Sequence, residues 1–510
     1  MVAYHYIGGM RDQQFLMPVD MADWLDEGHL AWFIIDVVER IDTGRLHGLH
    51  PNDGAGRPAY DPDMMLALLL YAYATSTRSS RRIEQLCATD AAYKVIAGGV
   101  IPDHATIARF LVNHEQAIHT VFVQVLSLCA EAGLLDLRFV AVDGTKLGCD
   151  AALDRNRTAG WIRTRVEEIL AEARQADQSE QAAPAGLFDL DCLPGELSTR
   201  DSRLRRLSAA LEHVEAAEAA AKEQAQARQA KALAEAAEGR RLRGRKPKDP
   251  HAALVRAEAD ETAIRHQAQR RAARRTHDRD ALQAAIDADP QVIEAVAATA
   301  AARAAADAAQ PAAFKANITD PDSRTMSTDP DSRTMSTATG WVQGYNAQAV
   351  VTQDQIIVAG HVSQDHNDVG LYQPMIQRTR TILNQIAIDG HIGLVLADAG
   401  YWSIDNATAE GPDRLIATAK THTLRQAARQ HGTASGEPPD HATETAKMEH
   451  RLRTEQGMAD YTKRSHTVEP VFSFKANHGY TRFRRRGLDA AASEWSLLTT
   501  VHNLGNGLSD

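Results

Sequence analysis

Four cysteines, Cys87, Cys129, Cys149 and Cys192, are scattered through 510 residues with no CxxC spacing. That pattern speaks against a zinc site and a disulfide framework, and it fits a reducing compartment. No apolar run reaches the roughly 20 residues that a membrane span needs. The opening stretch, MVAYHYIGGMRDQQFLMPVDM, has no basic end followed by an apolar core of the kind that directs export. The expected protein is soluble and cytoplasmic, with no membrane partner. Positive charge is also short: 56 Lys and Arg stand against 67 Asp and Glu, a formal net charge of -11. Whole-chain electrostatics announce no polyanion partner, so any such surface must be local.

The length allows two to four domains at roughly 100 to 200 residues each. Texture divides the chain. Up to residue 135 it has helical periodicity. Asp61-Pro62 opens PDMMLALLLYAYA, Ser80 leads into RRIEQLCA, and Pro102-Asp103 opens HATIARFLVNHEQAIHTVFVQVLSLCAEAG. Residues 136–154 hold one strand, RFVAVDGTKL. Residues 155–315 carry Ala, Glu, Gln and Arg runs that favour helix but offer few large apolar groups, so extended helices or a helical hairpin are expected rather than a core. From 316 to 505 short apolar strands (AQAVVT, QIIVAGHV, GLVLAD, RLIATA) alternate with helical stretches, an α/β signal.

Asp143 closes the apolar run of RFVAVDGTKL, and Asp398 closes that of GLVLADAGYWS. An Asp-Gly after a strand is commonly a turn. A sheet also presents its chemistry at strand ends, and two such aspartates strengthen the second reading. A third element is YTKRSHTVEPVFSFKANHGYTRFRRRG. At about 100° per residue, with Tyr461 as zero, Arg464 falls near -60°, Lys475 near -40° and Glu469 near +80°, one broad helical face. Between Arg451 and Arg486 there are nine Lys or Arg against three acidic residues. A lone carboxylate among such cations and aromatics suits phosphate contact. Three separated carboxylates suit phosphodiester cleavage or transfer, in which two divalent cations roughly 4 Å apart serve the attacking and leaving oxygens.

In the order GRPAYDPDMMLALLLYAYATSTRSSRRIEQLC, PDHATIARFLVNH, VAVDGTKL, TDPDSRTM with GWVQGYNAQAVV, VLADAGYWS and YTKRSHTVEPVFSFK, the chain resembles the DDE transposases of bacterial insertion sequences. The resemblance implies an α/β RNase H-like catalytic domain, interrupted by the helical insertion and preceded by an all-α domain (1–135) that binds DNA ends. It implies Asp143, Asp398 and Glu469 as catalytic residues and ligands of two Mg²⁺ ions, with Mn²⁺ able to substitute. Tyr461, Arg464 and Lys475 would handle phosphate and the transposon end. Arg482, Arg484, Arg485 and Arg486 extend the basic surface, and Arg243, Arg245 and Lys246 of GRRLRGRKPKDP are a second one, suited more to phosphate than to groove reading. The implied activity is cleavage at inverted-repeat ends and strand transfer into double-stranded target DNA, by a homodimer or larger assembly at the nucleoid. A nuclease on the same scaffold that never joins DNA, and a catalytically decayed DNA-binding remnant, stay open beside it. PDHATIARFL is compatible with a helix-turn-helix-like reader or with plain packing.

One oddity is TDPDSRTMS, which occurs twice in tandem, as Thr319 to Ser327 and Thr328 to Ser336. The upstream flank FKANI belongs with the first copy and ATGWVQGYNAQAVV with the second, as an in-frame duplication would leave them. Only one copy can hold the usual position, so Asp320, Asp322, Asp329 and Asp331 are read as turn and helix-cap residues outside the catalytic set. In HVSQDHNDVG, Asn367-Asp368 is read as the start of a helix.

Overall fold

The computed structural model describes residues 20–48, 59–168, 200–242, 247–274, 278–309, 315–317, 328–337, 340–388, 391–419, 430, 432–439, 441–473 and 479–507. Packing divides the chain into two units, residues 1–154 with 327–510, and residues 155–326.

The first unit begins with helices α1 (Leu30–Arg40), α2 (Pro62–Ala74), α3 (Ser80–Thr89), α4 (Ala91–Ile96), α5 (His104–Asn113) and α6 (Glu115–Glu131). Asp61 caps α2 by accepting the Asp63 amide, with Pro62 at the first turn, and Asp103 caps α5 by accepting the Thr106 amide. Helix α2 is apolar all round because it is buried all round: Met65, Leu66, Leu68, Leu69 and Leu70 are fully enclosed, each contributing about 1.5–3 kcal/mol of transfer free energy. The run from His104 is two helices rather than one. His114 breaks it, buried, with its ring stacked on Phe110 at 4.1 Å and within hydrogen-bond distance of the Leu46 carbonyl at 3.2 Å.

The sheet follows. Strand β1 (Phe139–Gly148) lies antiparallel to β5 (Gly340–Thr352) and parallel to β7 (Leu394–Ala397), which lies parallel to β8 (Asp413–Ile416). On its other edge β5 pairs antiparallel with β4 (Arg333–Thr337) and then with β6 (Ile357–Ser363). The order is β4-β5-β1-β7-β8, with β6 continuing the edge that β4 begins. The central strands are buried on both faces, which is why VAV and LVLA read as unbroken apolar runs rather than alternating ones. Helix α11 (Tyr372–Gln385) packs on β5 and β6, while α12 (Glu444–Arg453) leads into α13 (Glu455–Phe472), which packs on β1. The final helix, α14 (Leu488–Gly507), lies against β6, α2 and α6. One hydrophobic core thus runs from Ile34 and Leu68 through Val125, Val142, Val350 and Leu396 to Leu497. The change of texture at residue 135 separates helices from strands without dividing the core.

The second unit is the Ala-rich zone. Its short strands β2 (Asn156–Thr158) and β3 (Lys315–Asn317) pair antiparallel, bringing together the points where the chain enters and leaves. Between them stand α7 (Arg200–Ala237), α8 (Pro250–Ala272), α9 (Arg279–Asp287) and α10 (Pro290–Ala308). Extended helices are what the composition predicts. Their contacts are small clusters such as Ile264, Ala268, Ile286 and Val292, where alanine lets backbones approach. Exposed pairs such as Arg271 with Asp289 (2.7 Å) add about 0–1 kcal/mol each. Arg243, Arg245 and Lys246 lie outside the described residues.

Of the tandem repeat, the second copy is described and it forms β4 and the turn before it. Asp329 is buried and accepts the Tyr345 hydroxyl on both oxygens (2.9 and 2.8 Å) and the Gly487 amide (3.2 Å). Asp331 accepts the Leu488 amide at 3.1 Å. These two carboxylates thus satisfy amides at the start of α14, cap chemistry supplied from a distant segment. The first copy, with Asp320 and Asp322, lies outside the described residues.

Candidate active site

Strand β1 does not turn at Asp143-Gly144 but runs on to Gly148. Gly144 is what allows this: a Cβ there would collide with the Gln348 side chain, which crosses the strand from β5. Asp143 and Asp398 come together because Val142 pairs with Ala397, and each aspartate follows its partner by one residue on parallel neighbours. Two residues 255 positions apart thus end on adjacent strands. Asp398 also accepts the Gly400 amide at 2.8 Å, which fixes its side chain at the start of a short turn, Ala399–Tyr401.

Helix α13 lies over these strand ends. Arg464 donates to Asp143 Oδ2 at 2.7 Å, and its Nε is buried without a hydrogen bond. Burial pushes the Asp143 carboxyl up to about 6, with Arg464 opposing and Asp398 and Asp368 reinforcing that rise. The Tyr461 hydroxyl is also raised, chiefly by burial, with Arg464, Asp398 and Asp143 as its charged neighbours. Glu469 is placed differently. Thr467, Val468 and Val471 form the buried side of α13, and Glu469 is exposed with no hydrogen bond or ion pair among the described residues. Five residues beyond Arg464 is a rotation of about 140°, too far round for one face. Lys475 lies outside the described residues.

Two charged side chains join the site without having been expected there. Asp368 stands where a helix cap would, ahead of the turn Val369–Leu371, yet its side chain caps nothing. Its Oδ1 instead accepts Lys146 Nζ (3.0 Å), Asn346 Nδ2 (2.7 Å) and Gln348 Nε2 (3.0 Å). Gln348 in turn accepts the hydroxyl of buried Tyr401. A Cβ on Gly400 would sit 3.0 Å from Asp398 Oδ1 and 3.1 Å from Asp368 Oδ2, so these oxygens flank one small space. The available signal was polar residues on a strand otherwise apolar: Asn346 and Gln348 interrupt YNAQAVV and need a buried partner.

The basic run splits in two. Arg485 pairs with Glu115, and Arg486 with Asp150 (2.8 Å), so both are committed to the fold. Arg482 and Arg484 are exposed beside the end of β1, where the Phe483 amide donates to the Gly148 carbonyl at 2.8 Å and the Gly148 amide to the Thr481 carbonyl at 3.1 Å. Glu494, fully buried, holds this loop by accepting the amides of Arg484 (2.9 Å) and Arg485 (3.1 Å) while pairing with Arg78 (3.2 Å).

The donors at the strand ends are carboxylate oxygens, the hard ligands that Mg²⁺ and Mn²⁺ prefer. Among the described residues, one trio of ligand-type side chains has ligand atoms all within 4.8 Å, and it lies elsewhere: His47, Asp61 and Asp63, an ion pair beside a helix cap. Asp143, Asp398 and Asp368 do not form such a close trio among the described residues.

The fold thus sets a helical N-terminal region before a mixed sheet that carries two aspartates on adjacent strand ends. Residues 19–113 match the family model described as transposase domain (DUF772), and residues 422–506 match the one described as transposase DDE domain. The two matches, one at each end of the chain, support a DDE transposase of the insertion-sequence type. No curated protein and no solved structure matches it. No described helix is long and apolar enough to cross a membrane.

Proposed function

We propose that this transposase cuts DNA at the inverted-repeat ends of its element and joins the freed ends to double-stranded target DNA, on an RNase H-like scaffold. The observation that carries the proposal is the placement of Asp143 and Asp398 on adjacent parallel strands under a helix whose Arg464 reaches the first of them. The sheet supports the scaffold: numbering β1, β5, β6, β7 and β8 as first to fifth, the order is third-second-first-fourth-fifth, with the first three antiparallel and the last two parallel to the first.

Asp143 and Asp398 would hold divalent cations, Mg²⁺ in the cell, and Glu469 is the further carboxylate that the family resemblance nominates. Bound there, the cations would activate an attacking hydroxyl and stabilise the departing oxygen. Tyr461 and Arg464 line the same strand ends and would orient the scissile phosphate, while Arg482 and Arg484 offer exposed cations to the flanking backbone. Both ends are cut together, which calls for two protomers or more.

The test is cleavage and joining, with Mg²⁺, on DNA carrying the element's own flanking ends. Wild type should give both products, and Asp143→Asn and Asp398→Asn should bind the ends while losing about 10²–10³-fold in rate, the scale of losing one electrostatic stabiliser of the transition state. Cleavage without joining would identify a nuclease. Full activity in both variants would refute the site.

A further inference from the structure

Resting on that reading of the strand ends as a cation site, we propose that Asp368 is a further cation-binding carboxylate of this transposase, supplying Oδ2 beside Asp143 and Asp398. Three features of the geometry lead there. The carboxylate is divided: Oδ1 takes three donors, from Lys146, Asn346 and Gln348, and Oδ2 takes none among the described residues. The free oxygen points at Asp398 across Gly400, a position where any side chain would fill the space between the two carboxylates. The holding network is rigid, since Gln348 is fixed by Tyr401 and by Asn346 (2.9 Å), and its carbonyl by Trp495 (3.1 Å).

A carboxylate needed only to anchor the loop ahead of α11 would do so by capping the turn it precedes, and Asp368 does not. Spending three donors on one oxygen aims the other, as partners of a metal-ligating carboxylate do. Lys146 has a second effect. Its ammonium, 3.0 Å from Oδ1, competes with any cation for the charge of Asp368, so removing it should tighten cation binding rather than loosen it. Glu469, on the exposed side of α13, holds no comparable position.

The experiment is titration of the full-length, DNA-free protein with Mn²⁺ alone, followed by calorimetry, with folding checked by near-ultraviolet circular dichroism. Asp368→Asn should weaken Mn²⁺ binding at least tenfold, and Lys146→Met should strengthen it severalfold. If Asp368 served only to place Lys146, both variants would weaken binding alike, and that result overturns the inference. So does wild-type affinity in Asp368→Asn while Asp143→Asn binds poorly. Should Asp368→Asn fail to fold, Lys146→Met decides: unchanged or weaker binding overturns the inference. Wild-type affinity in Asp143→Asn, or no binding by the wild type, would instead sink the cation-site reading on which this rests.

Discussion

Removing the Glu494 carboxylate should loosen the loop that carries Arg482 and Arg484, and the cost can be worked from its partners. Glu494 is fully buried, pairs with Arg78, whose side chain is 6% exposed, and accepts two loop amides. Glu494→Ala leaves a buried guanidinium uncompensated and both amides without acceptors. Breaking a buried pair from one side costs about 3–5 kcal/mol, and the orphaned amides hold the effect at the upper end of that range. Arg78→Met should fall at the lower end of that range, about 3 kcal/mol: it gives up the Arg78 bond to the Arg482 carbonyl (2.8 Å), but Glu494 keeps its two amide donors and the methionine still covers the Tyr480 ring that Arg78 stacks on at 4.4 Å. Glu494→Gln retains shape and one acceptor oxygen, so about 1–2 kcal/mol is expected. Urea unfolding followed by tryptophan fluorescence is the assay, since buried Trp495 adjoins Glu494 in sequence and reports on this region. A Glu494→Ala cost below about 1 kcal/mol, or Arg78→Met costing more than Glu494→Ala, would refute the view that the carboxylate rather than the guanidinium organises the loop.

Two further outcomes follow from other parts of the fold. Asp143, pushed up to about 6 from an ordinary 3.8, binds its proton more tightly folded than unfolded, so it weakens the fold progressively as pH rises from about 4 to 6. Asp143→Asn should therefore be more stable than wild type by about 1–3 kcal/mol above pH 6, with the gap closing toward pH 4; denaturant melts at both ends, showing a less stable variant at pH 7.5, would contradict this. Deleting residues 319–327 should leave folding intact, because Thr328 to Ser336 supplies the contacts to Tyr345, Gly487 and Leu488; an insoluble product, or a melting temperature lower by more than about 5 °C, would show that both copies are needed.

Capping and periodicity were legible in the residues themselves. Asp61-Pro62 and Asp103 open helices where they stand, and the apolar runs ending at Asp143 and Asp398 are strands. These features are local, since a cap or an apolar run needs only its neighbours to declare itself. The repeat was legible in part: its cap chemistry is visible in the composition, whereas the amides it satisfies belong to a helix more than 150 residues away.

Direction and partnership were decided by the tertiary structure. Glu469 shares a motif with Arg464 but not a face, because α13 turns its buried side, Thr467, Val468 and Val471, to the sheet. Arg485 and Arg486 look like DNA contacts in a basic run until Glu115 and Asp150 appear beside them. Asp368 reads as a helix cap until β1 and β5 bring it three donors from distant positions. The sequence alone determined where helices and strands begin and that two aspartates close apolar strands, because those depend on short-range backbone and burial preferences. Only the fold decided which charges meet, because electrostatic partnership acts through space and residues far apart along the chain become neighbours when strands pair.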